Sequence, residues 1–103
     1  MIKTDKETMK RIEDTLKQTI KNPYWKKEYD EAPSDECKDY LKFTYFFSKH
    51  YDPDAEDAEK FDEIQKQVES ALSAEDWAYL KKMAPSSPFV AYCDENIKRL
   101  TGK

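Results

Sequence analysis

The sequence predicts an all-α fold, a compact bundle of four to five helices forming one domain over residues 1–103. Three observations lead there. Apolar residues recur at spacings of three and four in successive segments, no stretch alternates with period two, and the five prolines fall between or at the starts of the periodic segments. A single glycine leaves few flexible points, and no internal repeat is visible. A chain of this length buries roughly 65% of the surface its unfolded form exposes, enough for a core without metal or disulfide staples. The charged fraction is high at 39%, but 14 aromatic residues and clear periodicity argue against disorder.

The first helix is expected to start at Thr4-Asp-Lys-Glu7, which reads as a capping box. Met9, Ile12, Leu16 and Ile20 then form a narrow apolar stripe, with Lys6, Lys10, Lys17 and Lys21 along one flank. Asn22-Pro23 ends it, because the residue before proline avoids the helical region. Tyr24-Trp25-Lys26-Lys27-Glu28-Tyr29 is ambiguous: a helical turn in which Trp25 and Tyr29 plug the bundle, or a stacking platform for single-stranded nucleic acid. Glu28, Asp30 and Glu31 would repel phosphate and favour the plug.

Ser34 is the expected N-cap of the central helix, with Asp35 and Glu36 in its first turn. Six of the fifteen residues from Cys37 to Tyr51 are aromatic. Wound at about 100° per residue, Cys37, Tyr40, Leu41, Thr44, Phe47 and Tyr51 share one stripe, flanked by Phe43 and Tyr45. A helix apolar over so much of its circumference belongs in the middle of a bundle. Phe46 is the misfit: it projects from the polar arc near Lys42, Lys49 and His50. Either a loop or neighbouring helix covers it, or it contacts a partner.

Asp52-Pro53 reads as the start of the next helix, whose buried stripe is Ala58, Phe61, Ile64, Val68, Ala71 and Leu72. Ser73 to Asp76 resembles a capping box opening a short helix with Trp77, Leu80 and Ala84 on one side. Ser87 then caps, and Pro88 begins, a last helix with Phe89, Cys93, Ile97 and Leu100 inward and Gly102 at its end.

Few constellations point to chemistry. The segment from Asp52 to Glu63 partly fits a calcium loop but has Asp57 where the sharp turn needs glycine and Glu59 where an apolar residue belongs. His50 is the only histidine and has no nucleophile or metal-ligand motif beside it, so neither catalytic residues nor a metal or cofactor are expected. It reads as a surface residue near the end of the central helix. Phosphate-cradling glycine loops are excluded because the one glycine is Gly102. Cys37 and Cys93 fit apolar stripes and read as free core thiols. The N-terminus lacks an apolar signal region and no run approaches the ~20 residues of a membrane span, which leads to the expectation of a cytoplasmic protein.

The net charge of −4 is unevenly spread. Residues 1–27 hold eight basic residues and four acids, residues 28–39 six acids and one lysine, and residues 52–63 seven acids and one lysine. The expected function is that of a small non-catalytic protein-binding module of inhibitor, immunity or adaptor type. Its candidate surface is acidic and aromatic: Phe43, Phe46, His50, Asp54, Glu56 and Glu59. The partner would be another protein, with a basic surface suiting the acids. The alternative is a nucleic-acid binder using Lys6, Lys10, Lys17, Lys21 and Trp25, or a helix-turn-helix-like pair at the C-terminus. That pair lacks a glycine in its turn and places Asp94 and Glu95 where a groove-reading helix wants basic residues.

Overall fold

The chain's aromatic segment, Asp35–His50, is a 16-residue helix around which the other elements are arranged. In the computed structural model, which describes residues 5–50, 52, 54, 56, 58–84 and 86–102, it is α3 of six helices. The others are α1 (Lys6–Thr19), α2 (Pro23–Asp30), α4 (Ala58–Ser70), α5 (Ala74–Met83) and α6 (Ser87–Thr101). The sixth helix is α2, the segment the sequence leaves ambiguous.

Local chemistry sets the boundaries. The expected cap Thr4 lies outside the described residues. Asp5 is the N-cap of α1, its Oδ1 accepting from the Thr8 amide at 2.7 Å. Asn22 accepts from the Tyr24 amide at 2.9 Å, so it opens α2, with Pro23 in the first turn where a missing N–H costs nothing. Ser34 accepts from the Cys37 amide at 3.0 Å and caps α3. Ser73 and Asp76 form the full reciprocal box that opens α5. Gly102 takes φ +74°, and its amide donates to the Lys98 carbonyl at 2.8 Å to close α6.

Two starts differ from expectation. Helix α4 begins at Ala58, not at Asp52-Pro53. The Asp52 carboxylate instead accepts from the Asp54 amide at 3.0 Å, a local turn that competes with helix. Pro53 lies outside the described residues. Helix α6 is preceded by Ser86, not Ser87, and has no side-chain cap there.

Burial follows from enclosure of α3 on most sides. Helices α1 and α4 cover one side: the Arg11 guanidinium lies over the Phe46 ring at 5.2 Å, and the Phe61 ring is 5.6 Å from it. Lys42 of α3 reaches Glu13 of α1 at 2.9 Å. Trp25 of α2 meets Tyr45 edge-on at 5.6 Å, and Trp77 of α5 meets Tyr40 at 5.8 Å. Trp77 also contacts Tyr92, which ties α6 to the same aromatic row. The core therefore includes Ile12, Leu41, Phe61, Ile64, Leu80 and Cys93 around the α3 rings.

The structure corrects the assignment of α3's faces. Phe46 is 0% exposed and Phe43 2%, so both are core residues. Thr44, assigned to the buried stripe, is exposed, as are Ala71 just after α4 and Leu100 in α6's last turn. Tyr51 lies outside the described residues.

The α5–α6 pair is anchored to α3 by a polar contact. Asp76 is 3% exposed; its Oδ2 takes the Ser73 amide at 2.9 Å, and its Oδ1 takes the Ser34 hydroxyl at 2.7 Å. One carboxylate thus completes the cap of α5 and is joined to the cap of α3. Removing it leaves the Ser73 amide and the Ser34 hydroxyl without this acceptor in a partly buried setting. Asp76→Ala is expected to lower the unfolding free energy by about 2 kcal/mol, seen as a lower urea midpoint at unchanged slope. A midpoint equal to wild type would show that this contact does not anchor the pair.

Candidate functional site

Two surfaces emerge from this arrangement. The first is the acidic segment that joins α3 to α4 and continues along α4. Because Phe61, Ile64 and Val68 of α4 face the core, Glu59, Asp62 and Glu63 are left outward. Asp52, Asp54 and Glu56 precede them and are also exposed. Asp5 at the start of α1 lies beside this segment, since Lys60 of α4 is ion-paired and hydrogen-bonded to it. That contact holds the Asp5 carboxyl below the usual carboxylate range.

Of the sequence-assigned partner residues, Asp54, Glu56 and Glu59 are exposed, but Phe43 and Phe46 are not. For Phe46 this is the first of the two sequence readings, coverage by a neighbouring helix; its assignment with Phe43 to a partner surface is not met, because both rings are enclosed. Phe46 is sealed by Arg11 and Phe61. His50 is exposed as expected. Its ring lies 4.8 Å from that of Phe46, and its Nε2 is 3.2 Å from the Thr15 hydroxyl. Partial burial, then the charges of Arg11 and Lys49, hold its pKa below the ordinary histidine value.

The basic alternative divides similarly. Lys6, Lys10 and Lys17 are exposed on α1, and Lys21 is exposed in the turn that follows it. Trp25 is half-buried, with its indole against Tyr45 and Tyr24, and so is not an open stacking platform. Helices α5 and α6 do form a packed pair, with Asp94 of α6 paired to Lys81 of α5 at 2.7 Å.

The second surface is a cleft of about 490 Å³ between α3 and the α5–α6 pair, closed at one side by α2. Tyr40, Leu41, Thr44 and Tyr45 of α3 line it, with Ser48 and Lys49 further along the same helix. Trp25 and Glu28 of α2 face them, and Leu80, Met83 and Phe89 form the far wall. Tyr40, Leu41 and Thr44 are the heart of the apolar stripe that the sequence assigned to the core. The first two are buried, and Thr44 is exposed, as are Ser48 and Lys49.

Glu28 is the unexpected member. It is 6% exposed, although its neighbours Lys26, Lys27 and Asp30 are in water. The Tyr45 hydroxyl donates to its Oε1 at 2.5 Å, and the Tyr79 hydroxyl donates to its backbone carbonyl at 2.6 Å. Burial raises the carboxyl pKa above its ordinary value, while the Tyr45 bond, made to the charged form, opposes the shift. The sequence signal was its position three residues after Trp25, on the same helical face.

Among the described residues no group of three or more His, Cys, Asp or Glu is placed to hold a metal ion, and no helix is long and apolar enough to cross a membrane. No family model, curated protein or solved structure matches the chain.

Cys37 and Cys93 are free thiols, both 0% exposed. Burial, helped by the nearby carboxylates of Asp76 and Glu28, pushes the Cys37 thiol up to about 12. Burial pushes Cys93 up to about 11. A first-turn helix position, which stabilises thiolates, is therefore overridden at Cys37. A thiol reagent at pH 8 is expected to label neither cysteine in the native protein and both after denaturation. Fast native labelling of Cys37 would contradict this.

Proposed function

We propose that the protein is a non-catalytic binding module that engages another protein through its acidic face. The observation that supports this most is the run of exposed carboxylates Asp52, Asp54, Glu56, Glu59, Asp62 and Glu63, extended by Asp5. Like charges along α4 and the segment before it create a negative field that speeds encounter with a basic surface and disfavours other acidic ones. An inhibitor, immunity or adaptor role fits that chemistry. The buried α3 aromatics serve as the scaffold that fixes α4, and do not touch the partner. Truncating Phe46 would open a core cavity costing about 3–5 kcal/mol, so it is unsuitable as a probe of binding.

The charges can be changed without touching the core. Glu56→Lys/Glu59→Lys is expected to leave the thermal midpoint within a few degrees of wild type. It should weaken capture of a protein partner from nuclease-treated lysate at least about tenfold, with the wild-type interaction itself weakening as salt rises. Unchanged capture would remove the acidic face from the account. Recovery of nucleic acid in place of a protein from the same lysate without nuclease, lost on changing Lys10 and Lys17 to Glu, would instead favour the basic flank of α1.

A further inference from the structure

The cleft beside α3 is separate from the acidic face, and its lining is chemically specific. We infer that it is a binding site for a small organic ammonium ion, an amine carried on an apolar body.

Four aromatic residues line it: Trp25, Tyr40, Tyr45 and Phe89. Their ring faces carry partial negative charge and attract cations lying within about 6 Å of the centroid. The one carboxylate in the lining is Glu28. Its Oε1 is held by Tyr45, which is itself a wall of the cleft. A second tyrosine, Tyr79, fixes the backbone at the same residue. An aromatic enclosure with one positioned carboxylate is complementary to an ammonium group.

The same lining disfavours other ligands. A purely apolar molecule would strip water from Glu28 and return no charge or hydrogen bond. An anion would meet Glu28 and the ring faces unfavourably. Lys49 is the only cation in the lining, but it is exposed, and its long side chain can extend into water away from a bound amine. Leu80, Met83 and Leu41 supply apolar surface for the body of the ligand. A volume of about 490 Å³ lies within the range of small-molecule sites.

The test is calorimetric titration of the full chain at pH 7 with three probes of one shape: 4-phenylbutylammonium, 4-phenylbutanol and 4-phenylbutyrate. The ammonium is expected to bind about tenfold more tightly than the alcohol, and the carboxylate most weakly. Glu28→Gln keeps an oxygen for Tyr45 and should abolish most of the preference for ammonium while leaving alcohol binding near wild type. Met83→Trp fills the cleft and should weaken both; because it is a surface-lining change, it also serves if Glu28→Gln fails to fold. Equal affinity for ammonium and alcohol, tightest binding of the carboxylate, or no binding of any probe would overturn the inference.

Discussion

A 16-residue helix carrying Tyr40, Phe43, Tyr45, Phe46 and Phe47 cannot leave a wide face in water, and the fold is organised by the need to surround it. Four other helices touch α3 directly, each through an aromatic or charged contact already described. The surrounding elements are otherwise ordinary amphipathic helices that bury one narrow stripe each. What distinguishes the molecule is where the enclosure is tight and where it opens. It is tight over Phe46, where Arg11 of α1 and Phe61 of α4 meet α3. It opens along the cleft that exposed Thr44 lines, beside the α5–α6 pair that the Tyr40–Trp77 ring contact and the Ser34–Asp76 hydrogen bond join to α3.

This distribution explains which parts of the structure were legible in the sequence. Helix positions were readable because caps are local chemistry: Ser34, Ser73 and Gly102 each do what their residue type and position imply. Most of the apolar stripe in each of α1, α4 and α5 was readable for the same reason, since a helix with one partner side has one buried face; the exception in α4's stripe is Ala71, which is exposed beyond the helix end. The faces of α3 were not readable, because a nearly all-apolar helix contains no pattern that says which neighbour lies where. Phe46 looked anomalous beside lysines and is sealed. Thr44 looked central and lines an opening. The start of α4 was misplaced because Asp52 can cap either a helix or a turn, and only the competing hydrogen bond to Asp54 decides between them.

The functional surfaces differ in the same respect. The acidic face is a property of sequence: the carboxylates cluster between residues 52 and 63, and a helix burying Phe61, Ile64 and Val68 turns Glu59, Asp62 and Glu63 outward. The cleft is a property of tertiary structure, assembled from α2, α3, α5 and α6. Its carboxylate sits in a segment whose charge pattern, Lys26-Lys27-Glu28, suggests a solvated surface. Among the described residues the buried carboxylates are Asp76, which caps a helix, and Glu28, which sits among tyrosines and caps nothing. A buried carboxylate that caps nothing marks a position where packing alone gives no reason for the residue type.

The claim on which the whole account rests is that α3 is enclosed and fixed by its neighbours. Amide hydrogen exchange under native conditions with rising denaturant measures it residue by residue. The account predicts that amides from Leu41 to Phe46 exchange only through global unfolding, with the same free energy and denaturant dependence as the whole domain. Exchange of those amides faster than the interior amides of α1 and α6 would contradict it, and would place the organising element elsewhere in the chain.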